Sequence, residues 1–234
     1  MKRILFVLCF LTSTASLIYA QTPNKLSKSQ KKKGWVLLFD GTSTKGWTTV
    51  SGAAVPSGWT VNDGTLSTVQ GSKGGDIITV AEYVDFELIL DYKIDFACNS
   101  GVKYFFTRYD EGGDLGLEYQ ILDDLNAEDN KQANHLSGSL YDILEPSKLM
   151  KKVNPPGDWN TVRIVAKGNI VKHYLNDFKI LEFDRSGKSF ADAVAKSKFS
   201  KVVPAFGTVK KGHILLQEHG GTVAFRNIRV LELK

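Results

Sequence analysis

Cysteine is almost missing from this 234-residue sequence, which has two. Cys9 lies inside an apolar run, Ile4 to Leu11, that follows Lys2 and Arg3 and leads into a small and polar stretch ending at Ala20. This is the layout of a secretory signal peptide, too short and wrongly flanked for a membrane anchor. Ile18 stands at the minus-three position of the expected cleavage site, and Cys9 has no lipid-attachment context. Residues 1–20 are therefore read as a signal, and the chain is expected to be exported to the periplasm or beyond. Removing the signal leaves Cys98 alone, so no intramolecular disulfide can form. An exported domain without one needs a large apolar core, and roughly 200 residues are enough to bury it.

Other absences narrow the function. The formal charge of +5 comes from Lys2, Arg3 and an acid-free arm holding Lys25, Lys28, Lys31, Lys32 and Lys33. Without those seven, twenty-three basic residues face twenty-five acidic ones, a balance of −2 with no basic stripe. The arm, residues 21–33, is read as a solvated linker, and a nucleic-acid partner is not expected. His135, His173, His213 and His219 show no HExxH or other paired short spacing, so zinc is not indicated. No GxSxG elbow, GxGxxG or Walker loop is present, which removes serine catalysis on a nucleophile elbow and nucleotide cofactors. Asp123, Asp124, Asn126, Glu128 and Asp129 form an acidic loop without DxDxDG spacing, and a solvated loop is favoured there over calcium.

What is present, from Gly34 to Lys234, is a series of short apolar alternations broken by Gly, Asn, Asp and Ser clusters. The clearest runs from Val84 to Asp95, with Phe86, Leu88, Leu90, Tyr92 and Ile94 on one face and charges on the other. Such alternation describes a strand with one dry and one wet face. Strands are also expected at 35–39, 59–61, 65–68, 76–79, 101–107, 117–122, 139–143, 160–166, 170–175 and 179–183. One helix is expected at 189–196, with Ser189 as its cap. A single short helix cannot cover a sheet, so the fold class is all-β, a two-sheet antiparallel jelly-roll sandwich, with a closed barrel as the alternative. The tryptophans Trp35, Trp47, Trp59 and Trp159 are expected mainly in the core.

Polar residues recur on single strand faces. In GHILLQEHGGTVAFRNIRV, Gly212 to Val230, Gln217 and His219 share a face, and the Gly220-Gly221 pair suggests a hairpin to a second strand carrying Arg226. In NSGVKYFFTR, Asn99 to Arg108, Lys103 projects on the same side as Gly101 and Phe105, away from Val102, Tyr104 and Phe106. In GLEYQILDD, Glu118 and Gln120 share a face. If these strands lie in one sheet, Lys103, Glu118, Gln120, Gln217 and His219 converge on one surface. That set offers a base, an electrophile and partners for sugar hydroxyls. A solvated outer face explains the charges equally well.

Seven motifs occur in order: FDGTSTKGW from Phe39, NSGVKYF from Asn99, GLEYQILDD from Gly116, GSLYD from Gly138, PGDWNTVRI from Pro156, HYLN from His173, and the Gly212 segment. Together they resemble the 3-keto-disaccharide hydrolase domain family of secreted Bacteroidetes proteins, over essentially everything after Gly34. The resemblance implies a concanavalin A-like fold acting on glycosides oxidised at the third sugar carbon. A base removes the proton beside the ketone, the glycosidic oxygen leaves by β-elimination, and water adds to the hydroxyglucal. On that scheme Glu118 and His219 transfer protons, Lys103 stabilises the enolate, and Asp123 is a second candidate base or an orienting partner. Gln120, Gln217, Tyr141, Arg226 and Asn99 hold the sugar. Asp177 after HYLN and Glu218 between Gln217 and His219 depart from the family pattern.

No cofactor is indicated, and the sequence leaves open whether a divalent metal assists. The expected partner is an oligosaccharide or glycoside. A conventional glycoside hydrolase or a non-catalytic carbohydrate-binding module on the same fold are the competing functions.

Overall fold

The structure, a computed structural model, describes residues 23–110 and 112–234; the expected signal peptide, residues 1–20, lies outside them. Among the described residues, thirteen strands run in chain order as β1 (Val36–Leu37), β2 (Trp47–Thr49), β3 (Trp59–Asn62), β4 (Thr65–Thr68), β5 (Ile77–Tyr83), β6 (Phe86–Ile94), β7 (Asn99–Arg108), β8 (Asp114–Leu122), β9 (Asn160–Lys167), β10 (Ile170–Leu175), β11 (Phe178–Asp184), β12 (Gly212–Leu216) and β13 (Val223–Glu232). They form two antiparallel sheets. One has the order β11-β10-β9-β6-β13-β4-β3 with β1 also on β13, and the other the order β2-β5-β12-β7-β8. The sheets pack face to face as a jelly-roll sandwich.

The alternation in β6 is realised residue by residue: Phe86, Leu88, Leu90, Tyr92 and Ile94 are all buried and the residues between them half-buried. They meet Val102, Tyr104, Tyr119, Ile121, Ile214 and Leu216 of the second sheet in one continuous core. At roughly 25 cal/mol per Å² of apolar surface, such burial holds a domain of this size without cross-links. Trp47 and Trp59 are in that core, while Trp35 and Trp159 are half-buried.

Several expectations are corrected. The 217–222 segment is not a hairpin turn, because β12 and β13 belong to different sheets and the chain crosses the sandwich between them. Gly221 permits the crossing, since a Cβ there would sit 2.8 Å from Cys98 Sγ. In β7 the register shifts after Tyr104, with Phe105 at φ 51. This bulge sends Phe105 into the core beside Tyr104 and turns Phe106 outward against Ile78 and Leu215. The expected strand at 139–143 is an edge-hugging turn: Gln120 and Tyr141 donate to Ser139 and to Glu118 at 3.2 and 3.0 Å, but Gly138 and Asp142 at φ 84 and 61 break the extended run. The arm carries a one-turn helix α1 (Lys28–Lys33) capped reciprocally by Ser27 and Gln30, and Asn24 docks on Asn227 and Gly64. Helix α2 (Lys188–Lys196) starts after Gly187 without a side-chain cap, so Ser189 does not cap it.

Candidate functional site

The outward face of the second sheet carries the polar rows. Lys103 of β7 lies directly opposite Glu118 of β8, and Gly101 opposite Gln120. Leu215 of β12 pairs with Lys103 on the other side, and the Gln217 N–H donates to Gly101 O at 3.0 Å. Strand alternation thus carries Gln217 outward even though β12 ends at Leu216. These residues floor a cleft of about 650 Å³. Asn99, Lys103, Glu118, Gln120, Gln217 and His219 all line it, as does Tyr141.

At the floor the Lys103 ammonium stands 4.0 Å from Glu118 and 3.6 Å from Asp76. Burial pushes the Glu118 carboxyl above its ordinary value, against the opposing charges of Lys103, Lys198 and His219. Gly101 makes the room, since a Cβ there would lie 2.5 Å from Glu118 Oε1. Gln120 Nε2 donates to Asn99 Oδ1 at 3.3 Å. The Oε1 atoms of Gln120 and Gln217 are buried and have no partner among the described residues, so each is able to accept from a hydroxyl presented in the cleft. His219 is exposed at the mouth.

The facing wall joins Tyr141, an expected sugar-binding residue, to residues whose role the motifs did not assign. The Tyr141 hydroxyl donates to Asp129 Oδ2 at 2.8 Å. Asp129 Oδ1 and Asp142 Oδ1 flank His135, at 2.7 Å from Nδ1 and 3.1 Å from Nε2. Asp142 Oδ2 accepts the Lys198 N–H at 2.7 Å, and Lys198 Nζ reaches the Tyr141 hydroxyl at 3.2 Å while lying over its ring. Burial alone would raise the Asp129 carboxyl, but bonds from His135 and Tyr141 and nearby positive charge outweigh it and hold the group low. Phe199, also lining the cleft, stacks on Phe206 at 4.4 Å. Lys198 and Phe199 sit beyond α2 with no motif around them, so the sequence offered no signal for them; Asp129 and His135 were visible only as an acidic loop and an isolated histidine.

Two expected site residues are elsewhere. Arg226, on β13 in the opposite sheet, pairs with Asp91 at 3.3 Å and covers the Trp159 ring at 3.9 Å. Asp123 does not line the cleft. Its oxygens accept from the N–H groups of Ala97, Leu125 and Asn126 and from the Asn126 amide. Burial opposes ionisation there, yet these donors prevail and keep the carboxyl low. With Asp124 accepting from Ser137 N at 2.7 Å and paired to Lys151, the acidic loop is fastened at its start, while Leu125, Asn126 and Glu128 are exposed as expected of a solvated loop. Glu218, one of the two residues read as departing from the family pattern, pins the crossing: its carboxylate accepts from Gly75 and Gly220 N–H at 3.3 and 2.6 Å.

The fold and the cleft together define a two-sheet β-sandwich with a polar, ligand-sized cleft on one sheet face. Comparison with known proteins narrows this. The model of the 3-keto-alpha-glucoside-1,2-lyase-like domain matches residues 34–231, and the chain belongs to that family. A 3-keto-disaccharide hydrolase of Bacteroides thetaiotaomicron is 34% identical over 227 residues, covering 84% of this chain and 78% of that protein. The crystal structure of a candidate glycosyl hydrolase from Parabacteroides distasonis superposes with a TM-score of 0.82 at 31% identity, covering 91% of this chain and 100% of that one. A second from the same organism gives 0.65 at 30% identity, over 85% and 99%.

Proposed function

We propose that this enzyme cleaves 3-keto-glycosides in glycan breakdown, by elimination followed by hydration. The observation that carries the reading is the direct cross-strand pairing of Lys103 with Glu118 on the cleft floor. A ketone at C3 acidifies the C2 proton. A carboxylate with a raised pKa is a base suited to remove it near neutral pH, and an ammonium beside it stabilises the enolate oxygen that forms. Gln120, Gln217 and Asn99 supply amide groups for sugar hydroxyls, and His219 at the mouth exchanges protons between Glu118 and solvent. Expulsion of the C1 substituent gives a hydroxyglucal, and water adding to it completes net hydrolysis. Such a route needs no oxocarbenium ion and no symmetric carboxylate pair. We also propose that the protein works outside the cytoplasm, as its N-terminal sequence suggests.

A second reading has one observation in its favour: Asp129 adds another carboxylate to the cleft that holds Glu118, as a conventional glycosidase requires. Incubation with a 3-keto glucoside and its unoxidised counterpart separates the two. Release of the hydroxyglucal and free aglycone from the keto-sugar alone supports elimination. Cleavage of the unoxidised glycoside with no action on the keto-sugar would overturn it.

A further inference from the structure

We infer that Tyr141 is a further catalytic residue, the proton donor to the departing glycosidic oxygen, with Asp129, His135 and Asp142 as the positioning residues that hold it. This rests on the elimination reading above. Elimination leaves a proton on Glu118 and a nascent alkoxide at C1, so the leaving oxygen needs its own donor, on a different surface from the base. Glu118 belongs to the sheet floor, whereas the Tyr141 hydroxyl projects from the edge turn into the wall of the same cleft. Two neighbouring groups are engaged elsewhere, and a third, Lys198, holds the tyrosine oxygen itself. Asp129 is held ionised, with one oxygen on His135 and one on Tyr141, and Lys103 is paired with Asp76 and Glu118.

The environment of Tyr141 suits a phenol that must stay protonated until the bond breaks. Burial first, and then the bond to Asp129, push its pKa well above the ordinary value. Proton transfer from the phenol removes the negative charge that breaking the C1–O bond would otherwise leave on the departing oxygen. Lys198 Nζ at 3.2 Å from the same oxygen stabilises the phenolate left behind. Asp142 organises the group from behind: at φ 61, a strained conformation for a side chain other than glycine, it binds His135 with one oxygen and the Lys198 backbone with the other. The protons balance. The C1–O bond breaks with its electron pair on the leaving oxygen, which takes the Tyr141 proton. Water then adds at C1 of the hydroxyglucal and gives a proton to the phenolate, while Glu118 returns its proton to C2.

The test is a leaving-group series on Tyr141→Phe, which keeps the ring and removes only the hydroxyl. With a methyl 3-keto-glucoside, kcat should fall on the order of 10²-fold or more. With the 4-nitrophenyl analogue, whose phenolate departs unprotonated, the loss should stay below about tenfold, and deuterium exchange at C2 should fall by no more. Equal losses for both leaving groups, or no loss for the methyl compound, would overturn the assignment. His135→Asn should show a smaller loss with the same leaving-group bias, and a uniform loss would remove His135 from the positioning set. If the wild-type enzyme exchanges no C2 proton and cleaves neither compound, the elimination reading itself has failed, an outcome distinct from any behaviour of the variants.

Discussion

Gly101→Ala should silence the enzyme while leaving the fold standing. Gly101 sits in β7 on the cleft floor, opposite Gln120, and the methyl group would appear 2.5 Å from Glu118 Oε1 and 3.1 Å from its Cδ and Cγ. Ordinary contact begins near 3.4 Å, so the carboxylate must retreat by about 0.9 Å. What the methyl meets is the end of a flexible side chain, not backbone. The backbone at Gly101 has no positive φ, so alanine costs no strain there, and its smaller unfolded-state entropy returns about 0.4–1 kcal/mol. Stability should therefore change by no more than about 1 kcal/mol. A displacement of about 1 Å at a proton-transferring group costs on the order of 10²-fold in rate. The assay is kcat/KM on a 3-keto glucoside beside a thermal melt of the same preparation. A variant with unchanged Tm and activity within threefold of wild type would refute Glu118 as the base. A collapse of Tm would refute the claim that Gly101 serves the carboxylate and not the sheet.

Three further outcomes are expected. Removing the Lys103 charge with Lys103→Met should shift the acidic limb of the kcat/KM profile to higher pH, because that charge opposes the burial that raises Glu118; a limb that stays put or moves down contradicts their coupling, and kcat itself should fall about 10²-fold. His173 is fully buried, its Nε2 2.8 Å from the Tyr104 hydroxyl and its Nδ1 3.0 Å from Gly138 O, and burial pulls its pKa from 6.5 to about 4. The depressed folded value means its neutral form favours the folded state fully above pH 6.5, and about 3 kcal/mol is lost as pH falls from there towards 4. Denaturant melts should show that slope, and His173→Gln should flatten it; an unchanged slope points to other groups. Arg226→Ala should cost about 1 kcal/mol or less through its ion pair and its stacking on Trp159, with kcat/KM retained, and a tenfold loss of activity would contradict its placement across the sandwich.

The periodicity of β6, β9 and β10 was legible because each has one face dry and one wet, so composition alone records the geometry. The same alternation located Lys103, Glu118, Gln120 and Gln217. It failed where the backbone leaves regular geometry. At Phe105 a left-handed residue resets the faces, so Phe105 and Phe106 exchange the places that simple counting gives them. At Gly220-Gly221 the residues of a tight turn instead allow a close passage by Cys98, and with the hairpin goes the assignment of Arg226. Most of the cleft wall was hidden for another reason. Tyr141 was legible through its motif, but Asp129 and Lys198, which it meets, come from distant segments whose meeting depends on Asp142 and His135, and no local spacing encodes that.

The arch from β12 to β13 also governs the order in which the domain can assemble. β12 separates β5 from β7, and β13 separates β6 from β4, so the strands that complete the middle of both layers come after all the others in the chain. Before they arrive, the first sheet exists only as a β11-β10-β9-β6 group and a β4-β3 pair, and the second as β2-β5 and β7-β8. Each fragment has an open edge and an uncovered apolar face, and pairings of long sequence separation close slowly. A nascent chain built this way keeps its sheet edges open until its final strands emerge, so its folding is completed only once synthesis is nearly done.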